Sequence, residues 1–405
     1  MGIGAQPLTT ASYASFAAYG IFWGTWGAAL PALRDAAAVD EAALGTALLF
    51  VGLGGLPAML LTGRAVDRAG PRVAGALLVL LGLGGVLAAA VAGDLSTLVV
   101  GMALVGATSG AADVAQNALA GLAEQRSGRR VITTSHGIFS SFVVAGSLGG
   151  GAMRAAGADV VTLFAVAAAA MAVAGGVVLV LGDGPAPASR VHDAPADGLR
   201  LVLPFVVVGL VGALGFAVEN AHQSWSAIFL ADELGAPPGV AATAPAAFAA
   251  FAALARLAAG ALTRVSTTAL LVGGAAAAVL GTLVLGGAEQ VPVALAGLGL
   301  AAAGTSVLYP TLLSRATRDV PAHRRGRATS AVATTSYLGF VLGPVYVGVL
   351  AGAVGLPTAM VGVAVLAGAC AVLAPAVILW LPRAASDQRP VTSSICSRRM
   401  SMWPR

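Results

Sequence analysis

The chain has 405 residues, of which 58% are hydrophobic and only 10% are charged, and its mean hydropathy is +0.90. A soluble domain must cover its surface with polar side chains, so this composition excludes an ordinary soluble enzyme or binding protein. The formal net charge of +5 comes from arginines scattered over short segments, which is not the pattern of a nucleic-acid-binding surface. We therefore expect a multi-spanning membrane protein whose main partner is the lipid bilayer.

Apolar runs long enough to cross a bilayer recur along the whole chain. A span needs about 20 residues at 1.5 Å per residue, and only helices satisfy the backbone hydrogen bonds within a single segment in lipid. The sequence predicts an all-α protein with twelve transmembrane helices at about 11–33, 42–62, 73–93, 97–122, 131–153, 159–182, 201–229, 240–262, 268–287, 291–314, 330–353 and 357–382.

The distribution of arginine predicts the orientation of these helices. Only Arg34 and Arg154 fall in segments on one side, and nearly all other arginines fall in segments on the opposite side or in the C-terminal tail. Because basic residues are enriched in cytoplasmic loops, we expect both termini in the cytoplasm. The predicted location is the cell membrane, which in a bacterium is the inner membrane.

A long polar break at 183–200, "DGPAPASRVHDAPADGLR", predicts a cytoplasmic linker between an N-terminal half at 1–182 and a C-terminal half at 201–382. The polar segment 383–405 is expected to be a disordered tail. The two halves are weak repeats offset by about 197 residues, shown by the pairs Trp26 and Trp225, Gly63 and Gly260, Gly128 and Gly326, and Gly146 and Gly343. Parallel six-helix halves with a site between them are one known transporter plan.

The segment "TGRAVDRAGPRV" between the second and third predicted helices contains the spacing Gly63-x-x-x-Asp67-Arg68-x-Gly70-x-Arg72. This spacing resembles the signature loop of the major facilitator superfamily, although Pro71 stands where that family usually has a basic residue. The resemblance implies that the segment acts as a cytoplasmic gate when the carrier faces outward. Its two glycines are expected to allow a tight turn and a close approach of the backbone.

Two longer stretches are similar to the poorly characterised YbjJ-like bacterial branch of that superfamily, namely "LGTALLFVGLGGLPAMLLTGRAVDRAG" and "DVAQNALAGLAEQRSGRRVITTSHGIFSS". Together the resemblances cover about residues 10–382. They imply the major facilitator fold and a transport function, and they name no substrate.

Polar side chains inside predicted spans are candidate functional residues, because an ionisable group at the bilayer centre costs roughly 2.5–3.5 kcal/mol on insertion scales. Asp113 and Asn117 are four apart in the fourth predicted helix, so they share one face. Asp113 is expected to carry a coupling proton or to bind solute. The alternatives for Asp113 are a structural salt bridge and an interhelical hydrogen bond.

The seventh and first predicted helices carry further candidates for binding or coupling. Glu219 is expected to share a helix face with His222 or Gln223, beside Asn220. In the first helix, Tyr19 and Trp23 are four residues apart; the alternative for them is core packing or an interfacial belt.

His136 and Arg256 occur at matching depths in the fifth and eighth predicted helices, and we assign both to the cytoplasmic gate. The alternatives are that His136 is a packing residue and that Arg256 extends its charge to the membrane surface.

The sequence contains no nucleotide-binding loop, metal-ligand spacing or nucleophile–base set, so it predicts no cofactor and no enzyme activity. The expected function is a monomeric secondary transporter that moves a small polar metabolite by alternating access, with a proton as the coupling ion. An uncoupled facilitator, an exporter and a receptor that binds solute without moving it remain alternatives.

Overall fold

A computed structural model describes residues 5–182, 199–261, 265–318, 320 and 322–386. These residues form fourteen helices: α1 Ala5–Ala36, α2 Glu41–Ala69, α3 Val73–Val91, α4 Leu95–Ser127, α5 Val131–Ala155, α6 Val160–Leu181, α7 Leu199–Asp232, α8 Pro238–Ala241, α9 Thr243–Ala261, α10 Thr267–Gly286, α11 Val291–Thr305, α12 Leu308–Thr317, α13 Ala322–Val354 and α14 Leu356–Ser386. Most of the predicted linker, 183–198, and residues 387–405 of the predicted tail 383–405 lie outside the described residues. The expectation of disorder was wrong for 383–386, where helix α14 continues past the apolar segment.

The fourteen helices make twelve spanning elements, as predicted. Within the described residues, eleven segments are long and apolar enough to cross a membrane; α8 with α9 forms one of them, and α11 with α12 forms another. The twelfth element is α1, which has 32 residues and contains the first predicted transmembrane helix, 11–33. An even number of spans puts the start of α1 and the end of α14 on one side of the bundle. We call this side the terminal face and the other side the closed face.

Several helices extend beyond the bounds predicted from hydropathy, mainly at the terminal face. The second predicted helix was expected to end at 62, but α2 continues to Ala69; α4 continues to Ser127, and α7 begins at Leu199. The apolar pattern stops where the bilayer ends, whereas helical hydrogen bonding continues until a terminating residue. At the end of α2, Gly70 has φ +76° and donates its N–H to the Val66 carbonyl, and such a backbone conformation favours glycine.

The N-cap residues at the closed face also follow ordinary helix chemistry. Asp94 accepts the backbone N–H of Thr97 at the start of α4, and Asp159 accepts that of Thr162 at the start of α6. These hydrogen bonds hold the pKa of both carboxyl groups below its usual value, because they stabilise the ionised form.

The two halves repeat one packing arrangement. In the first half α1 packs against α5, and in the second half α7 packs against α13. The repeat glycines lie in these two contacts: a Cβ added at Gly146 would collide with the Ile21 carbonyl, and one added at Gly343 would collide with the Ala217 carbonyl. Close approach of the helix backbones therefore requires glycine at both positions.

The close contacts between the halves lie toward the closed face. There α2 packs on α13, where a Cβ at Gly45 would be 2.8 Å from the Gly348 Cα. The Ser147 hydroxyl in α5 donates a 2.7 Å hydrogen bond to the carbonyl of Ala242, between α8 and α9. Toward the terminal face, a Cβ at Gly63 would have no heavy atom of the described chain within 4 Å, and His136 is exposed. The halves are therefore joined at the closed face and apart at the terminal face.

Candidate functional site

Helices α1, α5, α7 and α9 surround a cavity of about 140 Å³ between the two halves. We call it the central cavity. Its wall carries the predicted residues Trp23, Glu219, Asn220, Gln223 and Arg256. Each half supplies part of this wall, so a rocking motion of one half against the other would change it.

An ion pair joins α7 to α9 in this cavity. Arg256 Nη2 is 2.8 Å from Glu219 Oε1, and Gln223 Nε2 donates to the same oxygen at 3.2 Å. Arg256 Nε donates to the Ser306 carbonyl at 3.2 Å. The Glu219 side chain is 12% exposed and that of Arg256 is 42% exposed. Arg256 thus offsets part of the cost of a carboxylate in a spanning helix.

This geometry corrects the placement of Arg256. We expected it to act with His136 in a gate, or to reach the membrane surface, and instead it binds Glu219 in the central cavity. The sequence could not show which way the Arg256 side chain turns.

The prediction for the face of α7 was right for Gln223 and wrong for His222. His222 is fully buried, its Nδ1–H donates to the Val218 carbonyl at 2.6 Å, and its Nε2 is 3.0 Å from the Thr282 hydroxyl in α10. It packs inside the second half and is absent from the described wall of the central cavity. The i,i+4 neighbour Gln223 aligns with Glu219 better than the i,i+3 neighbour does.

Asn220 both lines the central cavity and binds a neighbouring helix. It lies on the wall of the central cavity, and its Nδ2 donates to the carbonyl of Phe340 in α13. This bond ties α7 to α13 and fixes the side chain, so Asn220 can present its remaining polar atoms in one orientation.

Asp113 lies in α4 within a cluster of hydrogen bonds. Its Oδ1 accepts from Asn117 Nδ2 at 3.0 Å and from Gln116 Nε2 at 3.4 Å. No arginine of the described chain is within ion-pair distance of Asp113, which leaves the structural salt bridge without support. The Gln116 Oε1 atom is buried and has no hydrogen-bond partner in the described structure. The sequence reasoning missed Gln116, although it is a third polar side chain in the same turn.

An aromatic group links Asp113 to the central cavity. The Tyr19 hydroxyl is 2.8 Å from the Ser109 hydroxyl, and Ser109 lies one turn before Asp113 in α4. The Tyr19 ring is 6.3 Å from the Trp23 ring, which faces the cavity. Tyr19 is itself buried among hydrophobic side chains. Its ring therefore packs in the core, as the alternative for this residue expected, and its hydroxyl group binds α4.

The signature segment lies mostly on α2, not in a loop. Asp67 and Arg68 are exposed in the last turn of α2, Gly70 ends the helix, and the exposed Arg72 immediately precedes α3. The expectation that Gly63 forms a turn or a close approach is wrong, because it is helical and has open space beside it. The expectation for Gly70 is confirmed. His136 in α5 packs against α1, with its ring 5.0 Å from that of Phe16 in an edge-on contact.

Sequence reasoning missed a cluster of charges at the closed face. Arg34 in the last turn of α1 forms a two-bond ion pair with Asp232 at the end of α7, in which Nη2 is 3.0 Å from Oδ1. Asp35 and Glu41 are 3.1 and 3.6 Å from the same guanidinium group. Burial and the negative charges of Asp232 and Glu41 raise the pKa of Glu233 above its usual value. The sequence did contain a signal for this cluster. Arg34 is one of the few basic residues on this side, and Asp232 lies close to the position equivalent to Arg34 in the second half.

Comparison with known proteins identifies the fold and the relatives. The sequence pattern of the Major Facilitator Superfamily matches residues 12–344 and 208–395. The uncharacterized transporter y4wD of Sinorhizobium fredii is 32% identical over 368 residues, which cover 89% of this chain and 96% of that protein.

Solved structures show the same architecture at low identity. An inward-facing bacterial homologue of the human lysosomal transporter Spinster superposes with a TM-score of 0.75 at 15% identity, covering 95% of this chain and 99% of that one. The D-xylose–proton symporter gives a TM-score of 0.72 at 16% identity, covering 93% and 97%.

Proposed function

Because the chain belongs to the major facilitator superfamily, we propose that it is a secondary transporter that moves a small polar metabolite by alternating access and couples this movement to a proton. At the coarser level it is a multi-pass membrane transporter and not an enzyme. We further propose that it works as a monomer with its terminal face in the cytoplasm. The arginines of that face, including Arg64, Arg68 and Arg72, support this orientation.

The observation that carries the proposal is the position of the Glu219–Arg256 pair. It lies between two halves that touch at the closed face and separate at the terminal face. A polar group in this place is accessible from one side, and a rocking motion would make it accessible from the other. This arrangement supports our assignment of the structure to the state that opens to the terminal face.

A carboxylate inside the membrane can couple a proton to this motion. Protonation removes the cost of a charge when the surrounding cavity is sealed from water. Asp113 and Glu219 are the candidates for this role. The D-xylose–proton symporter of the same fold couples its solute to a proton, which is consistent with the proposal and does not carry it.

Proteoliposomes can test the function with a mixture of candidate solutes. Vesicles with and without the protein are incubated in a bacterial metabolite extract, with the outside more acidic than the inside, and their contents are measured by mass spectrometry. We expect at least one polar metabolite to accumulate only with the protein, and accumulation to stop when a protonophore is added. If no solute accumulates with the pH gradient in either direction, the result favours a receptor. If a solute only equilibrates across the vesicle membrane and the protonophore has no effect on it, the result favours a facilitator.

A further inference from the structure

A second cavity opens at the terminal-face ends of α9, α10 and α12 and has a volume of about 430 Å³. We call it the basic vestibule. Its described lining includes three arginines and several hydroxyl groups, and none of the described lining residues is acidic: Arg256, Arg315, Arg318, Thr267, Ser306, Thr311 and Ser314. Positive charge against low-dielectric walls attracts anions and raises their local concentration.

Arg256 belongs to both cavities. Its Nε is bonded to Ser306 beside the basic vestibule, and its Nη2 is bonded to Glu219 in the central cavity. A guanidinium group has five N–H donors in a planar fork, and the described structure uses two of these. The side chain is 42% exposed. Donors therefore remain for an incoming group at the point where the two cavities meet.

We propose that the transported solute carries a carboxylate or phosphate group, which passes Arg315 and Arg318 in the basic vestibule and is bound by Arg256. This inference rests on the proposed transport function. Guanidinium groups match carboxylate and phosphate oxygens in pairs of parallel hydrogen bonds. Glu219 accepts a hydrogen bond from this guanidinium group, and its negative charge repels an incoming anion, so the solute and Glu219 compete for the guanidinium charge.

Matched probes that differ in charge test the solute class. The purified protein is placed in phosphatidylcholine nanodiscs at constant ionic strength, and its apparent Tm is measured with anions and with their uncharged counterparts: acetate and acetamide, succinate and succinamide, gluconate and glucose, glycerol 3-phosphate and glycerol. We expect at least one anion to raise Tm where its counterpart does not, since a ligand stabilises the state that it binds. If no anion does so, or if the neutral member of each pair is as effective, the proposal is overturned.

Three variants connect that effect to the site. Arg256→Gln should weaken binding of the effective anion about tenfold to a hundredfold, because a charge-assisted contact is lost. Arg256→Lys should retain part of the affinity, and Glu219→Gln should bind the anion at least as tightly as the unchanged protein because the competitor is removed. The control Arg154→Gln should leave the affinity unchanged, since Arg154 bonds to the Ala158 carbonyl within its own half.

A loss of affinity in Glu219→Gln equal to that in Arg256→Gln would overturn the competition and the anion assignment. Stabilisation by phosphatidylglycerol in the nanodisc, without any soluble anion being effective, would assign the vestibule to lipid headgroups instead. The outcomes separate this inference from the transport function. Arg256-independent uptake of a neutral solute would overturn the inference alone, whereas anion binding without uptake would overturn transport and leave Arg256 as an anion-binding residue.

Discussion

The closed-face cluster offers the sharpest test of the conformational reasoning. We predict that Arg34→Gln opens the closed face and shifts the protein toward the state accessible from that side. The variant removes a two-bond ion pair between α1 and α7 and leaves Asp232 near Asp35 and Glu41 without their shared cation. Like charges then repel each other across the contact between the halves.

The size of the shift follows from the exposure of the pair. Fully exposed ion pairs contribute roughly 0.2–1 kcal/mol, and hydrogen bonds to charged groups contribute about 1.5–3 kcal/mol. The side chains of Arg34 and Asp232 are 13% and 30% exposed, so this pair lies between those classes. About 1–2 kcal/mol is a reasonable value, which changes the ratio of the two states by roughly 5–30-fold.

Distances between spin labels on the two halves measure this ratio. Labels at Ala156→Cys and Gln290→Cys, both exposed at the closed face, report its opening once Cys370 and Cys396 have been replaced. Arg34→Gln should increase the population at the longer distance, and 0.5 M salt should increase it in the unchanged protein. Arg154→Gln is the matched control, because it removes a basic residue on the same face that does not join the halves.

Identical distance distributions for Arg34→Gln and the unchanged protein would refute the reasoning. A double-mutant cycle adds a second requirement. Asp232→Asn should have a smaller effect in the Arg34→Gln background than alone, since the pair is already broken.

The other predictions concern the signature segment, the central cavity and the helix contacts. Asp67→Asn should strongly reduce turnover in proteoliposomes while ligand-induced stabilisation stays unchanged, because Asp67 is exposed far from the cavity; full turnover would contradict a gate role. Glu219→Gln should abolish gradient-driven accumulation and the exposed Glu289→Gln should not, so equal uptake by both variants would remove Glu219 from coupling. Gly339→Ala should lower the apparent Tm by several degrees because its Cβ meets the α7 backbone, whereas Gly149→Ala, with open space beside it, should leave Tm within about a degree.

The fold could be predicted from the sequence because lipid reduces the choice of structure. The twelve apolar segments follow from the cost of polar groups in hydrocarbon, which acts on each segment separately. The helix ends were less predictable, because hydropathy marks the bilayer boundary and not the last helical hydrogen bond. Thus α2 reaches Ala69, and the signature residue Asp67 lies on a helix.

The candidate site was predicted as a set of residues and not as an arrangement. Spacing placed Gln223 beside Glu219 correctly, since neighbours four apart share a helix face. Contacts between distant helices leave no such local signal. The pairs Glu219–Arg256 and Arg34–Asp232 depend on how α7 packs against α9 and α1, and spacing could not distinguish the buried His222 from a cavity residue.

Asp113 provides the decisive test of proton coupling. Its carboxyl group accepts hydrogen bonds from Asn117 and Gln116 and lies within ion-pair distance of no arginine in the described chain, unlike that of Glu219. A carboxylate outside an ion pair is the easier of the two to neutralise by protonation when the cavity closes, because no ion pair must be broken. We therefore expect Asp113→Asn to abolish accumulation driven by a pH gradient and to preserve counterflow, the exchange of labelled solute at equal concentrations on both sides. Both assays use the same vesicles and a solute identified by metabolite uptake, with Glu289→Gln as the control. If accumulation survives in Asp113→Asn and also in Glu219→Gln, neither carboxylate carries an essential proton, and an uncoupled facilitator replaces the coupled transporter.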